Sequence, residues 1–256
     1  MKNLVRFILQ RVSRKHIQRV VHLLTPLVGL FYAGRGVECP ICDRHYRKFM
    51  PYGYTMPREN ALCPHCLALE RHRLMWLYLR RETDFFDAPR SGRILHIAPE
   101  YCFIKQFEAL YGKNYITADL ESPLAKVKMD IQSIPFPDES FDVIFCNHIL
   151  EHVENDRLAM SEMYRAMRSG GWGIMLSPVN PALEKTYEDP TITDPAGREE
   201  HFGQKDHLRD YGRDYGQRLT ETGFTVEELD YVKNLSPEEV GKYALRPEII
   251  YLVRKS

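Results

Sequence analysis

The sequence predicts an α/β fold: a doubly wound, mostly parallel sheet with a small zinc-binding segment ahead of it. Three observations carry this. Short apolar runs alternate with helix-period stripes after residue 91, which implies parallel strands covered on both faces. Two C-x-x-C pairs lie between Cys39 and Cys66. The length, 256 residues at 44% hydrophobic and 27% charged, suits one full domain plus an appendage.

The first part, residues 1–36, is a basic, apolar head. It holds seven basic residues and no acid before Glu38. Leu4, Val5, Phe7, Ile8, Leu9 and Val12 crowd one side of a helical projection, with Lys2, Arg6 and Arg14 opposite. Such a helix suits the surface of an anionic membrane, so residues 1–34 are the expected site of a peripheral contact. The apolar stretch from Val20 to Ala33 is too short to span a bilayer. The whole chain has 35 basic and 35 acidic residues, leaving the body acidic. That balance argues against nucleic acid as a partner spread over the whole surface.

The second part, residues 37–90, contains Cys39, Cys42, Cys63 and Cys66 as C-P-I-C and C-P-H-C, then a helical pattern from Leu67 to Arg81. Two such turns separated by twenty residues fit a tetrahedral four-thiolate zinc site. Four thiolates leave no open position, so Zn2+ there is structural. Six cysteines in a chain of this length fit a reducing, cytoplasmic setting better than a disulfide scaffold.

The third part, residues 91–256, supplies the sheet. Strands are expected at Arg93–Ile97, Tyr115–Asp119, Phe141–Cys146 and Trp172–Leu176, the last entered through Gly170 and Gly171. Met160, Met163, Tyr164 and Met167 form one helical stripe, expected to face the sheet. Phe224–Val232 and Ile249–Arg254 add two late strands. Between them and the strand at Trp172–Leu176, about 183–215, lies a polar insert expected to form a lid over the site.

Ligands of open α/β sheets bind beyond the carboxyl ends of the strands. The first strand ends at His96, so Ala98 and Glu100 belong to the first loop. Asp119 ends the second strand, where an acid accepts from ribose hydroxyls, with Leu120 beside it. Asp130 is placed to accept from an adenine amino group while Ile131 packs on the ring. Asn147 and His148 end the next strand at the same mouth. His148, His201 and His207 are the candidate catalytic bases, since an imidazole accepts a proton near neutral pH.

These residues carry a resemblance. From Arg93 to Val179 the chain resembles a class I S-adenosylmethionine (SAM)-dependent methyltransferase of the type 11 group. The runs DIQSIPFPDESFDVI from Asp130, NHILEHV from Asn147 and SGGW from Ser169 carry it. Residues 37–256 also resemble bacterial methyltransferase-like proteins with a four-cysteine N-terminal segment and a tract like HFGQKDHLRDYG, here His201–Gly212. The resemblance implies a Rossmann-like methyltransferase sheet, SAM as cofactor, and His96, Ala98, Glu100, Asp119, Leu120, Asp130, Ile131 and Asn147 as its site. One departure stands out. The group's first loop reads acid-apolar-Gly-x-Gly-x-Gly, and here all three glycine places hold other residues: Ala98, Glu100 and Cys102. Side chains, with Glu100 on the SAM ammonium, are expected to replace backbone contacts.

The expected function is methyl transfer to a small-molecule, saccharide or lipid-linked acceptor, at a cytoplasmic location or the inner face of the membrane. Two other readings share the residues. One is a zinc-ribbon rRNA methyltransferase. The other is a non-catalytic binding module on the same fold.

Overall fold

A computed structural model describes residues 28–53, 57–87 and 92–256. The basic head up to residue 27, with its expected membrane contact, lies outside the described residues. Among the described residues no helix is long and apolar enough to cross a membrane.

The chain divides into two compact units, described in turn. One takes in the N-terminal residues through 87, with Glu100–Lys105 and Tyr231–Glu248. Two antiparallel hairpins form its start. Strands β1 (Ala33–Cys39) and β2 (Arg44–Tyr46) pair, as do β3 (Met50–Tyr52) and β4 (Arg58–Leu62). Helix α1 (Glu70–Arg81) follows and is buried on nearly all sides, from Leu74 through Leu79 without a break. A helix apolar around its whole circumference belongs in a core. It starts three residues later than the periodicity predicts. Leu67 adopts a left-handed backbone (φ 60°) and its N–H is spent on the Cys63 carbonyl, so the helix cannot begin there.

Arg73 on α1 is fully buried. Its guanidinium donates to the carbonyls of Ala61, Ala68, Tyr243 and Ala244 at 2.7–2.9 Å and lies 4.2 Å from the Phe49 ring centroid. One cation thus ties the second hairpin and helix α1 to the segment carrying the short helix Pro237–Lys242.

The other unit is the sheet. Its strands are β5 (Ile94–Ile97), β6 (Tyr115–Asp119), β7 (Val127–Lys128), β8 (Phe141–Cys146) and β9 (Met167–Ile174), then β12 (Thr225–Leu229) and β13 (Ile250–Arg254). A small hairpin, β10 (Tyr187–Glu188) with β11 (Arg209–Asp210), interrupts the series. The order across the sheet is β12-β13-β9-β8-β5-β6-β7. All neighbours among β5 to β9 are parallel, and β13 runs antiparallel between β9 and β12. Helix α2 (Tyr101–Tyr111) follows β5 and helix α3 (Asp156–Ala166) follows β8.

The methionine stripe faces the core as expected. Ala159, Met160, Met163 and Ala166 are fully buried among Phe141, Ile144 and their neighbours. Each such methionine is worth roughly 1.5–3 kcal/mol of burial. Two boundaries differ from expectation. Strand β9 begins at Met167, so Gly170 and Gly171 lie inside it. The register jumps between Phe141↔Met167 and Val143↔Trp172, and Gly170 (φ 78°) absorbs the resulting bulge. Strand β12 stops at Leu229, where the chain leaves the sheet.

Candidate functional site

The strand order fixes where a ligand can enter. The chain runs from β5 outward to β6 and β7, then returns to place β8 on the other side of β5. The loops after β5 and β8 therefore part company, leaving a crevice at the carboxyl edge. Both loops hold a non-glycine residue in the left-handed region: Ala98 at φ 46° and His148 at φ 55°. Each costs roughly 1–2 kcal/mol relative to ordinary backbone. Hydrogen bonds hold both. Ala98 N–H donates to the Ala118 carbonyl and His148 N–H to the Leu176 carbonyl, both at 2.8 Å.

The acids come together on the β6 side. Asp119 Oδ1 accepts from the Glu121 and Ser122 N–H groups at 2.7 and 2.6 Å. That turn fixes the carboxylate with one oxygen already occupied. Met129 N–H donates to the Asp119 carbonyl at 3.1 Å, which brings Asp130 alongside. Asp130 is exposed, Ile131 beside it is buried, and Leu120 is 55% exposed. An exposed carboxylate next to an apolar surface offers a hydrogen-bond acceptor beside a face on which an amino-bearing ring can pack. Asn147 is buried, and its Oδ1 accepts from Leu176 N–H at 3.4 Å.

Two predicted site residues have partners of their own. The His96 side chain is fully buried, with Nδ1 2.7 Å from the Tyr115 hydroxyl and rings of Phe107 and Phe145 around it. It is committed to packing. Glu100 falls in the four-cysteine unit, 3.9 Å from His72 Nε2.

The histidines divide. His201 is exposed and meets the Tyr187 hydroxyl at 3.2 Å. His148 and His207 instead join Glu151 and His152, a grouping that the single-residue reading of the sequence misses. Glu151 and His152 sit on a 3₁₀ turn, Leu150–His152. His148 Nδ1 lies 3.6 Å from Glu151 Oε1, and Ser177 donates to Oε2 at 2.8 Å. Burial pushes the Glu151 carboxyl up, but the neighbouring His148 ring more than offsets this and holds it below its usual range. Burial pushes the His207 imidazole down.

What brings His207 there is a buried charge network. Arg209 donates to the carbonyls of Leu150, Val153 and Glu154 at 2.7–2.9 Å, taking up the end of the 3₁₀ turn. Arg218 pairs with Asp156 at 2.8 Å, and the Tyr211 hydroxyl donates to the same carboxylate at 2.7 Å. Glu188 joins both arginines. Leu208 N–H donates to the Glu151 carbonyl at 2.8 Å. The insert is thereby fixed against the carboxyl edge of the sheet.

In the other unit the four cysteines converge. Cys39 and Cys66 sulfurs lie 3.5 Å apart, those of Cys42 and Cys63 3.8 Å, and all four within 4.8 Å of one another. Zinc–sulfur bonds of about 2.3 Å in a tetrahedron require sulfur–sulfur edges of about 3.8 Å, so the set fits that ion. The two turns are copies. Asp43 (φ 53°) donates to the Cys39 carbonyl and Leu67 (φ 60°) to the Cys63 carbonyl, each four residues after the first cysteine of its pair.

Comparison with known families matches part of the sheet. Residues 92–175 match the family of methyltransferase domains. Residues 92–175 thus carry a methyltransferase domain. Ajmaline N-methyltransferase from Rauvolfia serpentina is 26% identical over 164 residues, covering 55% of this chain and 54% of that protein. The ubiquinone/menaquinone biosynthesis C-methyltransferase UbiE of Methylococcus capsulatus is 37% identical over 81 residues, covering 30% of this chain and 33% of its own. The chain therefore spans about half or less of these curated relatives. Among solved structures, the YcgJ protein of Bacillus subtilis is similar at a TM-score of 0.47 and 15% identity, over 72% of this chain and 99% of that one. The crevice between β5 and β8 lies within the matched residues, as do Glu151, His152 and Asp156, whereas His207, Arg209, Tyr211 and Arg218 lie beyond residue 175.

Proposed function

We propose that this protein is a SAM-dependent methyltransferase acting on a hydroxyl-bearing small molecule, with a structural zinc held by Cys39, Cys42, Cys63 and Cys66. The observation that supports this best is the pairing of Asp119 with Asp130 at the edge of a methyltransferase domain. Asp119 accepts from the ribose hydroxyls through its second carboxylate oxygen, since Oδ1 is already used by the backbone. Asp130 accepts from the adenine amino group and Ile131 supports the ring. Ala98, Leu120 and Asn147 line the rest of the nucleoside path.

Bound SAM would supply a methyl group on a sulfonium, with the thioether sulfur as the leaving group. The protein has to align the acceptor oxygen with that methyl and keep water out. An alcohol must also lose its proton as the new carbon–oxygen bond forms. His148, at the end of β8, takes that proton, and the Glu151 carboxylate 3.6 Å away stabilises the imidazolium that results. The insert that carries His207 covers the acceptor.

The zinc, when bound, supplies a closed cross-link between the two cysteine turns. Burial lowers the Arg73 guanidinium's pKa, while nearby Cys39 raises it in the opposite sense. A cation there offsets part of the negative charge of four thiolates on one divalent ion.

The test is methyl transfer from radiolabelled SAM to a panel of small hydroxylated acceptors by the full chain. Transfer that falls at least a hundredfold in His148→Ala, with SAM binding retained, supports the reading. Unchanged transfer in that variant removes His148 from the chemistry.

A further inference from the structure

We propose that Glu151, His152 and His207 form a second metal site, separate from the cysteines, which takes a divalent first-row cation. Each offers one ligand atom, and the three atoms lie within 4.8 Å of one another. Two histidines and a carboxylate that leave coordination positions open suit Mn2+, Fe2+, Co2+ or Zn2+.

The orientation of the two rings is the main argument. His152 Nδ1 lies 3.0 Å from the Asp206 carbonyl oxygen, and His207 Nδ1 lies 3.2 Å from the Phe202 carbonyl oxygen. A carbonyl only accepts, so each Nδ1 carries the proton. Each Nε2 is then the nitrogen with a free lone pair. Backbone or carboxylate partners on the far nitrogen are how proteins orient metal-binding imidazoles. The Asp206 carboxylate, 3.8 Å from His152 Nδ1, adds a second such partner. The two rings meet edge to face, with centroids 4.8 Å apart.

Charge and rigidity agree with this. Glu151 is 1% exposed, and with His148 Nδ1 3.6 Å from its Oε1 it can stay an ionised, ligating carboxylate although buried. Its Oε2 accepts from Ser177, which holds the carboxylate in place as a ligating group needs. The two segments that supply the ligands are locked together by Leu208 N–H on the Glu151 carbonyl and by Arg209 on the 3₁₀ turn. The site is therefore built before any ion arrives. A cation here would present its open positions to an acceptor oxygen and lower that oxygen's pKa, which is the chemistry an alcohol acceptor needs. Cation binding itself does not depend on the methyltransferase reading and is measured without SAM.

The experiment is a titration of full-length protein loaded with a single equivalent of Zn2+, which the four thiolates take in preference to nitrogen and oxygen ligands, with Mn2+ followed by loss of the free-ion electron paramagnetic resonance signal, and with Co2+ followed by its visible spectrum. Mn2+ is a poor ion for a four-thiolate site. Uptake of one equivalent is expected, with Co2+ giving nitrogen/oxygen-type bands and no thiolate charge-transfer band. His207→Ala and Glu151→Gln should each weaken uptake at least tenfold while zinc content stays at one per chain. His152→Ala, a partly exposed position, gives the same result in a variant that keeps the buried packing. The proposal is overturned by no uptake of either ion, by uptake that all three variants retain, or by Co2+ bands with thiolate character alone.

Discussion

The four-cysteine cluster and the carboxyl edge of the sheet are both built sites, but they are assembled from very different spans of chain. All four thiols come from residues 39–66, on two turns with the same hydrogen bond and the same left-handed fourth residue. The residues proposed for nucleoside binding and the histidine cluster come from loops spread between Ala98 and His207, joined only when β5 and β8 lie side by side. A local site is written in spacing. A dispersed site is written in topology, and its parts are recognisable only once the strand order is known.

The comparison can be broken at several points. The largest effect is expected from Cys63→Ser. Structural zinc sites contribute about 10–16 kcal/mol to folding. Losing one ligand should release the ion and abolish hydrogen-exchange protection in β1 to β4 and α1, read by mass spectrometry. Strands β5 to β9 should keep theirs. Protection lost equally from both units would show that the sheet depends on the cluster. Next comes Asp156→Ala, which takes from the buried Arg218 its buried carboxylate partner and leaves only the more exposed Glu188 at 3.3 Å. Breaking such a pair costs about 3–5 kcal/mol, and denaturant unfolding should show it as a shift in midpoint. A shift equivalent to less than 1 kcal/mol would mean that the network around the insert is not what fixes it.

Two smaller effects sharpen the contrast. Burial pushes the Glu70 carboxyl up, but the hydrogen bonds from Arg58 outweigh it and the net shift is downward from 4.5. A group depressed in the folded state contributes stability above pH 4.5, lost as pH falls through its folded value. Glu70→Gln should therefore flatten the acid limb of a stability profile. The expected loss at neutral pH is about 1 kcal/mol, because Arg58 is 37% exposed and screened. A steeper acid limb in the variant would contradict this. The smallest effect is that of Ala98→Gly. Removing the Cβ at φ 46° relieves strain, partly offset by the freer unfolded chain. Thermal unfolding should change by no more than about 1 kcal/mol, in either direction.

Much of the fold was legible. The methionine stripe, the strands at β5, β6 and β8, and the order of the acids follow from periodicity and spacing. The ends of β9 and α1 were not, because the bulge at Gly170 is set by pairing with β8, and the left-handed Leu67 by the turn that closes on the Cys63 carbonyl. His96 reads as a site residue by position, yet its side chain lies on the buried face of β5, where Tyr115 supplies its hydrogen bond. Glu151 and His152 were overlooked as a unit. Their adjacency, followed by a late histidine before an arginine at His207–Arg209, is the signal that would have paired them.

The most direct measurement is calorimetric titration of SAM into the zinc-replete full-length protein, beside Asp119→Ala. Binding in the micromolar range, weakened by about 1–3 kcal/mol in the variant, is the expected result. No binding by the intact protein, or binding that the variant leaves unchanged, would contradict the placement of a nucleoside between Asp119 and Asp130.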